Sequence, residues 1–149
     1  MKTTRTLLAL FAVATAALSL TGQAMASPAA DATLTVRSSD YGRVLFDTRG
    51  RALYAFTADR RGGRSNCSGA CAVAWPPYLV RGSVQPGPGT TGRLLGTIRR
   101  SNGTRQVTYD GRPLYYYVRD REPGQILCQN VREFGGLWLV VRPTGTLVR

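Results

Sequence analysis

The sequence predicts an all-β fold, mainly antiparallel, in which two pseudo-symmetric repeat halves pack into one small domain. At most one short helix is expected, near a C-x-x-x-C stretch. Three observations carry this prediction. The stretch "GRALYAFTADRRGGRSNC" (Gly50–Cys67) lies over "GRPLYYYVRDREPGQILC" (Gly111–Cys128) at a constant offset of 61, without a gap. Eight of these eighteen positions are identical, among them the pairs Tyr54/Tyr115, Asp59/Asp120 and Cys67/Cys128. Self-similarity at a fixed period marks a duplicated supersecondary unit. Asp110-Gly111 sits between two aromatic and β-branched runs, the strongest short-range signal for a tight hairpin. Finally, only Ser68–Ala74 reads as helical, and Pro76 ends it.

The elements follow in chain order. Basic Lys2 and Arg5, the apolar run Leu7–Leu20 and the small residues Ala24-Met25-Ala26 form a secretory signal peptide over residues 1–26. Cleavage near Ala26 leaves residues 27–149 as a single soluble, exported domain, in a compartment where thiols can be oxidised. The apolar run is too short to read as a transmembrane segment. "ATLTVRS" (Ala32–Ser38) alternates apolar and polar residues, as a half-buried strand does. "VLFDTRGRALYAF" reverses through a turn containing Gly50, and "VTYDGRPLYYY" makes the same reversal more tightly. Between the halves, "RGSVQPGPGTTGRLLG" reads as a connecting loop. "LWLVVRP" (Leu137–Pro143) reads as a more fully buried strand. Repeat one spans residues 41–80 and repeat two residues 102–143. Such small β-units seldom stand alone, so they are expected to pack around a shared aromatic core.

The motif Y-x-[FWY]-x-x-D occurs twice, as Tyr54, Phe56 and Asp59 and again as Tyr115, Tyr117 and Asp120. Cys67, Cys71, Ala72, Trp75, Pro76 and Pro77 match a C-x-x-x-C-A-x-x-W-P-P element, and "QVTYDGRPLY" a second one. On these residues the chain resembles a family of bacterial exported proteins, the secreted repeat of unknown function. The resemblance implies an exported repeat domain and supplies no activity. Many members carry a lipobox cysteine; this leader has none.

The chain has three cysteines and no histidine. A closed tetrahedral metal site needs four such ligands, so no metal or cofactor is assigned. Three reduced thiolates could hold a soft ion such as copper, and a thiol-redox pair is conceivable, although C-x-x-C is absent. The plainer reading is a disulfide. Cysteines four apart bring their Cα atoms near the upper end of the disulfide range. The family element favours Cys67–Cys71, whereas chain entropy favours a longer loop to Cys128, which is otherwise free.

Tyr54 and Phe56, like Tyr115 and Tyr117, sit two apart and share a sheet face. They read as core, with tyrosine hydroxyls bonded to backbone or to Asp59 and Asp120; an aromatic platform for flat ligands is the sharper alternative. Trp75 and Trp138 read as mainly structural. A repeated structural aspartate explains Asp59 and Asp120 more simply than paired carboxylates for glycoside hydrolysis.

Without the leader's two bases, eighteen arginines stand against eight acids, a net charge of +10, and Lys2 is the only lysine. A coding bias toward arginine explains this; adhesion to anionic envelope polymers is the functional alternative. The arginines are scattered through every segment, which argues against a specific nucleic-acid partner. Lacking histidine, the chain has no Ser–His–Asp or Cys–His arrangement, and lacking lysine after the leader, no Ser–Lys pair or Schiff base. The expectation is a non-catalytic extracytoplasmic binding or envelope-associated module, with a redox or copper-binding protein as the alternative.

Overall fold

Tyr54 and Tyr115, the two equivalent tyrosines, are direct cross-strand partners, and the fold is organised around that pairing. The structure is a computed structural model that describes residues 32–149; the leader and its cleavage point lie outside them. The first half contributes β1 (Ala32–Ser39), β2 (Gly42–Asp47), β3 (Tyr54–Phe56), a one-turn helix α1 (Ala70–Ala74) and β4 (Leu79–Val80). After β5 (Val84–Pro86) come β6 (Leu95–Arg99), β7 (Arg105–Tyr109), β8 (Arg112–Tyr115), β9 (Val131–Glu133) and β10 (Gly136–Val140). A three-stranded sheet runs β2-β1-β5, and a seven-stranded one runs β4-β7-β8-β3-β10-β9 with β6 beside β7. The pairing is antiparallel except for β1 with β5. The helix is shorter than the sequence suggests, starting at Ala70, after Gly69 turns the chain with φ of 55°.

Because equivalent residues oppose each other, a local pseudo-twofold axis passes between β3 and β8. Consequently each half's last strand completes the other half's hairpin. Val140 of β10 pairs with Tyr54, and Pro77, just before β4, bridges to Tyr115. Further out, the Thr57 N–H donates to the Leu137 carbonyl at 2.9 Å, mirrored by the Val118 N–H to the Ala74 carbonyl at 3.1 Å. The halves are interlocked by strand exchange.

Side-chain alternation in these central strands sends residues to two opposite cores. Val44, Phe46, Tyr54 and Phe56 face an aromatic cluster with Trp75 and Trp138, while Leu45, Leu53 and Ala55 face an aliphatic cluster with Leu34, Val107 and Leu114. Burial on both faces explains why these strands read as nearly continuous apolar runs. The tight hairpin forms at Asp110-Gly111, with φ of 51° and 70°, the left-handed pair a type I′ turn requires.

One expectation is corrected. The segment read as a loop between the halves holds β5, a 3₁₀ turn at Gly92–Leu94 and the start of β6. Its prolines and glycines suit an edge: Pro86 ends β5, which adds only to the rim of β1.

Candidate functional site

The twin motifs meet across the axis. Tyr54 Oη donates to Asp120 Oδ2 at 2.5 Å, and Tyr115 Oη donates to Asp59 Oδ2 at 2.6 Å. Each aspartate's other oxygen accepts a backbone N–H seven residues on, from Asn66 at 2.7 Å and Leu127 at 3.0 Å. Every half thus hands its tyrosine hydroxyl to the other half's carboxylate. Burial raises both carboxyl pKa values above the ordinary aspartate value, partly offset by these hydrogen bonds. Burial likewise pushes both tyrosines far up, so they remain donors. All four side chains are buried. Both oxygens of each carboxylate are engaged, so the arrangement holds a loop in each half.

The aromatic residues form one stack across the same axis. Trp75 and Trp138 lie parallel, with centroids 4.0 Å apart. Phe56 stacks on Trp138 at 4.2 Å and Tyr117 lies tilted against Trp75 at 4.7 Å, each again from the opposite half. Tyr54 and Tyr115 present their edges to Trp75 and Trp138. Both indoles are fully buried, so they give no platform for a flat ligand. Pro76 fixes the approach of this segment by accepting the Tyr116 N–H at 2.8 Å.

Cys67 and Cys71 are joined by a disulfide with Cα atoms 5.2 Å apart, closer than the sequence suggests, because Gly69 tightens the loop. Cys128 is free and half-buried. Burial pushes its thiol pKa up, with a hydrogen bond to Tyr117 pulling the other way. Among the described residues no three Cys, Asp or Glu side chains converge as a metal site.

The sequence reading scatters the arginines; the tertiary fold gathers five of them. Two clefts of about 520 and 440 Å³ adjoin at Gly62. Arg64, Arg99 and Arg100 line the first, Arg61 and Arg93 the second. Asp110, the acidic residue on the lining, is paired with Arg61. Arg100 is clamped: Nη1 donates to Ser65 Oγ at 2.9 Å and Gln106 Oε1 at 2.6 Å, and Nη2 to the Cys67 carbonyl at 2.6 Å. Since Tyr115 donates to Asp59, Ser65 is the donor in their 2.6 Å contact, a shorter path for its hydrogen than the Cys67 carbonyl at 3.3 Å. Arg100, Ser65, Tyr115 and Asp59 therefore form a directional chain from the cleft to the buried motif. Arg64, Arg93 and Arg99 have no partner among the described residues, and all three are exposed. No linear signal marks this cluster, because its members come from the loop after β3 and from both ends of β6.

Among the described residues no helix is long and apolar enough to cross a membrane. No curated protein and no solved structure matches the chain. The pattern defining the secreted repeat of unknown function matches residues 35–78 and 96–142, more than half the chain, with starts 61 residues apart. With its duplicated motif interlocked across the axis and both copies matched, the chain belongs to the family of secreted repeats of unknown function.

Proposed function

We propose that this protein is an exported, non-catalytic module that binds anionic polymers at the cell envelope. The observation that carries the reading is the convergence of five arginines on two adjoining clefts, whose one lining carboxylate, Asp110 in the second cleft, is paired with Arg61. Guanidinium groups are always charged and present planar donor forks suited to anionic oxygens. The absence of histidine from the chain and the structural engagement of Asp59 and Asp120 support a binding role over turnover. The reading predicts retention of the exported protein on heparin and on phosphocellulose at low ionic strength, with release at moderate salt as the field is screened. Flow-through at low salt on both resins refutes it.

A further inference from the structure

Resting on that reading, we infer that the two clefts act as one trough for a linear phosphate-bearing polymer other than nucleic acid. The argument begins with which guanidinium groups are available. Arg100 is held by three protein acceptors and Arg61 by Asp110, so these two shape the trough and set its potential. Arg64, Arg93 and Arg99 are exposed and without partners among the described residues, so these three are free to grip a ligand.

Their placement argues for a chain. Arg93 lies in the 3₁₀ turn before β6 and Arg99 at its far end. Two 3₁₀ steps and four strand steps put their Cα atoms roughly 15 Å apart. Arg93 faces one cleft and Arg99 the other, so a single small anion does not serve both. A polymer with a repeated charge does. Glycines keep the path open: Gly62 is shared by both clefts, and a Cβ there would meet nothing within 4 Å.

The charge chemistry selects phosphate. One guanidinium fork fills both oxygens of a carboxylate, whereas the tetrahedral oxygens of a phosphate can be shared by Arg64 and Arg99 within one cleft. The lining excludes nucleic acid as the favoured ligand. Single strands are held by stacking bases on exposed aromatics. Here the apolar lining is Ile98, Leu94 and Leu95, while the tryptophans are sealed in the core.

The test uses the exported protein and long-chain inorganic polyphosphate, with binding followed by titration at several salt concentrations. The variant Arg64→Gln/Arg93→Gln/Arg99→Gln is compared with a charge-matched control, Arg119→Gln/Arg121→Gln/Arg132→Gln, at exposed positions outside the clefts. The trough variant is expected to lose affinity at least about tenfold, and its slope of log affinity against log salt to fall by about 2, with the control unchanged. Matching urea midpoints for both variants establish that folding is intact. Equal losses in the two variants overturn the trough while leaving polyanion binding standing; no binding by the unmodified protein removes both. Orthophosphate competing as well as polyphosphate at equal phosphate concentration, polyglutamate binding as tightly, or oligo-dT binding more tightly each overturns the proposed ligand.

Discussion

The hydroxyl of Tyr54 and the carboxylate of Asp120 belong to different halves, and inside the core the hydroxyl is the donor to Asp120 Oδ2 while Oδ1 accepts the Leu127 N–H. Removing the hydroxyl leaves a buried carboxylate oxygen without its donor. Tyr54→Phe is therefore expected to lower stability by about 2 kcal/mol at neutral pH, and Tyr115→Phe by a similar amount, measured by urea unfolding. The loss depends on pH in a defined direction. Burial raises the folded-state pKa of both aspartates, so their contribution to stability is greatest below the unfolded-state value of about 4 and is lost as the pH rises through the folded-state value. The hydroxyls offset that loss by stabilising the ionised form. The cost of either Tyr→Phe change should therefore shrink as the pH falls from 7 toward about 4. A penalty that grows on acidification would contradict the assignment of these pairs as donor hydroxyl to ionised carboxylate.

At the scale of elements, two devices hold the fold. The disulfide ties Cys67, ahead of α1, to Cys71 in its first turn, and the five residues of this helix are too few to be stable alone. Closing so small a loop stabilises by about 2 kcal/mol, the loss expected on reduction. Denatured, unreduced protein should titrate with one thiol, and reduced protein with three; three thiols before reduction would remove the bond. The second device is strand exchange. Since β10 completes the β2–β3 hairpin and Pro77 to Val80 completes β7–β8, neither half can satisfy its backbone alone. Fragments 27–89 and 90–149, made separately, should each lack a cooperative unfolding transition and regain one when mixed. Cooperative folding of either fragment alone would show that the exchange is dispensable.

For the molecule as a whole, net charge and its distribution are separate facts. A charge of +12 for the full chain is visible in the composition, but composition does not say where the field is strongest. The fold places the 61–64 turn against β6 and so brings five arginines onto two adjoining clefts, the proposed trough. Arg100 links that trough to the buried motif through Ser65 and Tyr115. The second half has Ile126 where the first has Ser65, so the duplicated motif reaches a surface cleft through this chain on one side alone. The symmetric part of the molecule is its core, and the asymmetric part is its exposed chemistry.

Much of this was legible in the residues themselves. The constant offset between repeats, the Asp110-Gly111 turn and the alternating apolar runs are local patterns, and local patterns dictate strands, turns and duplication. The burial of Tyr54, Phe56, Trp75 and Tyr115 also follows from residue type and spacing, whereas Tyr117 lies past the end of β8 and packs against the core only partly buried. What stayed hidden depends on pairings distant along the chain. The strand β6 was masked by the glycines and prolines beside it, the exchange of terminal strands has no linear signature, and the arginine trough draws on segments about 30 residues apart whose approach only the closed sheet creates. By itself the sequence determined a duplicated, sheet-forming, strongly basic chain. The tertiary structure decided which half completes which, and where the charge collects, because hydrogen-bond register and side-chain convergence are properties of the folded pairings rather than of any single stretch.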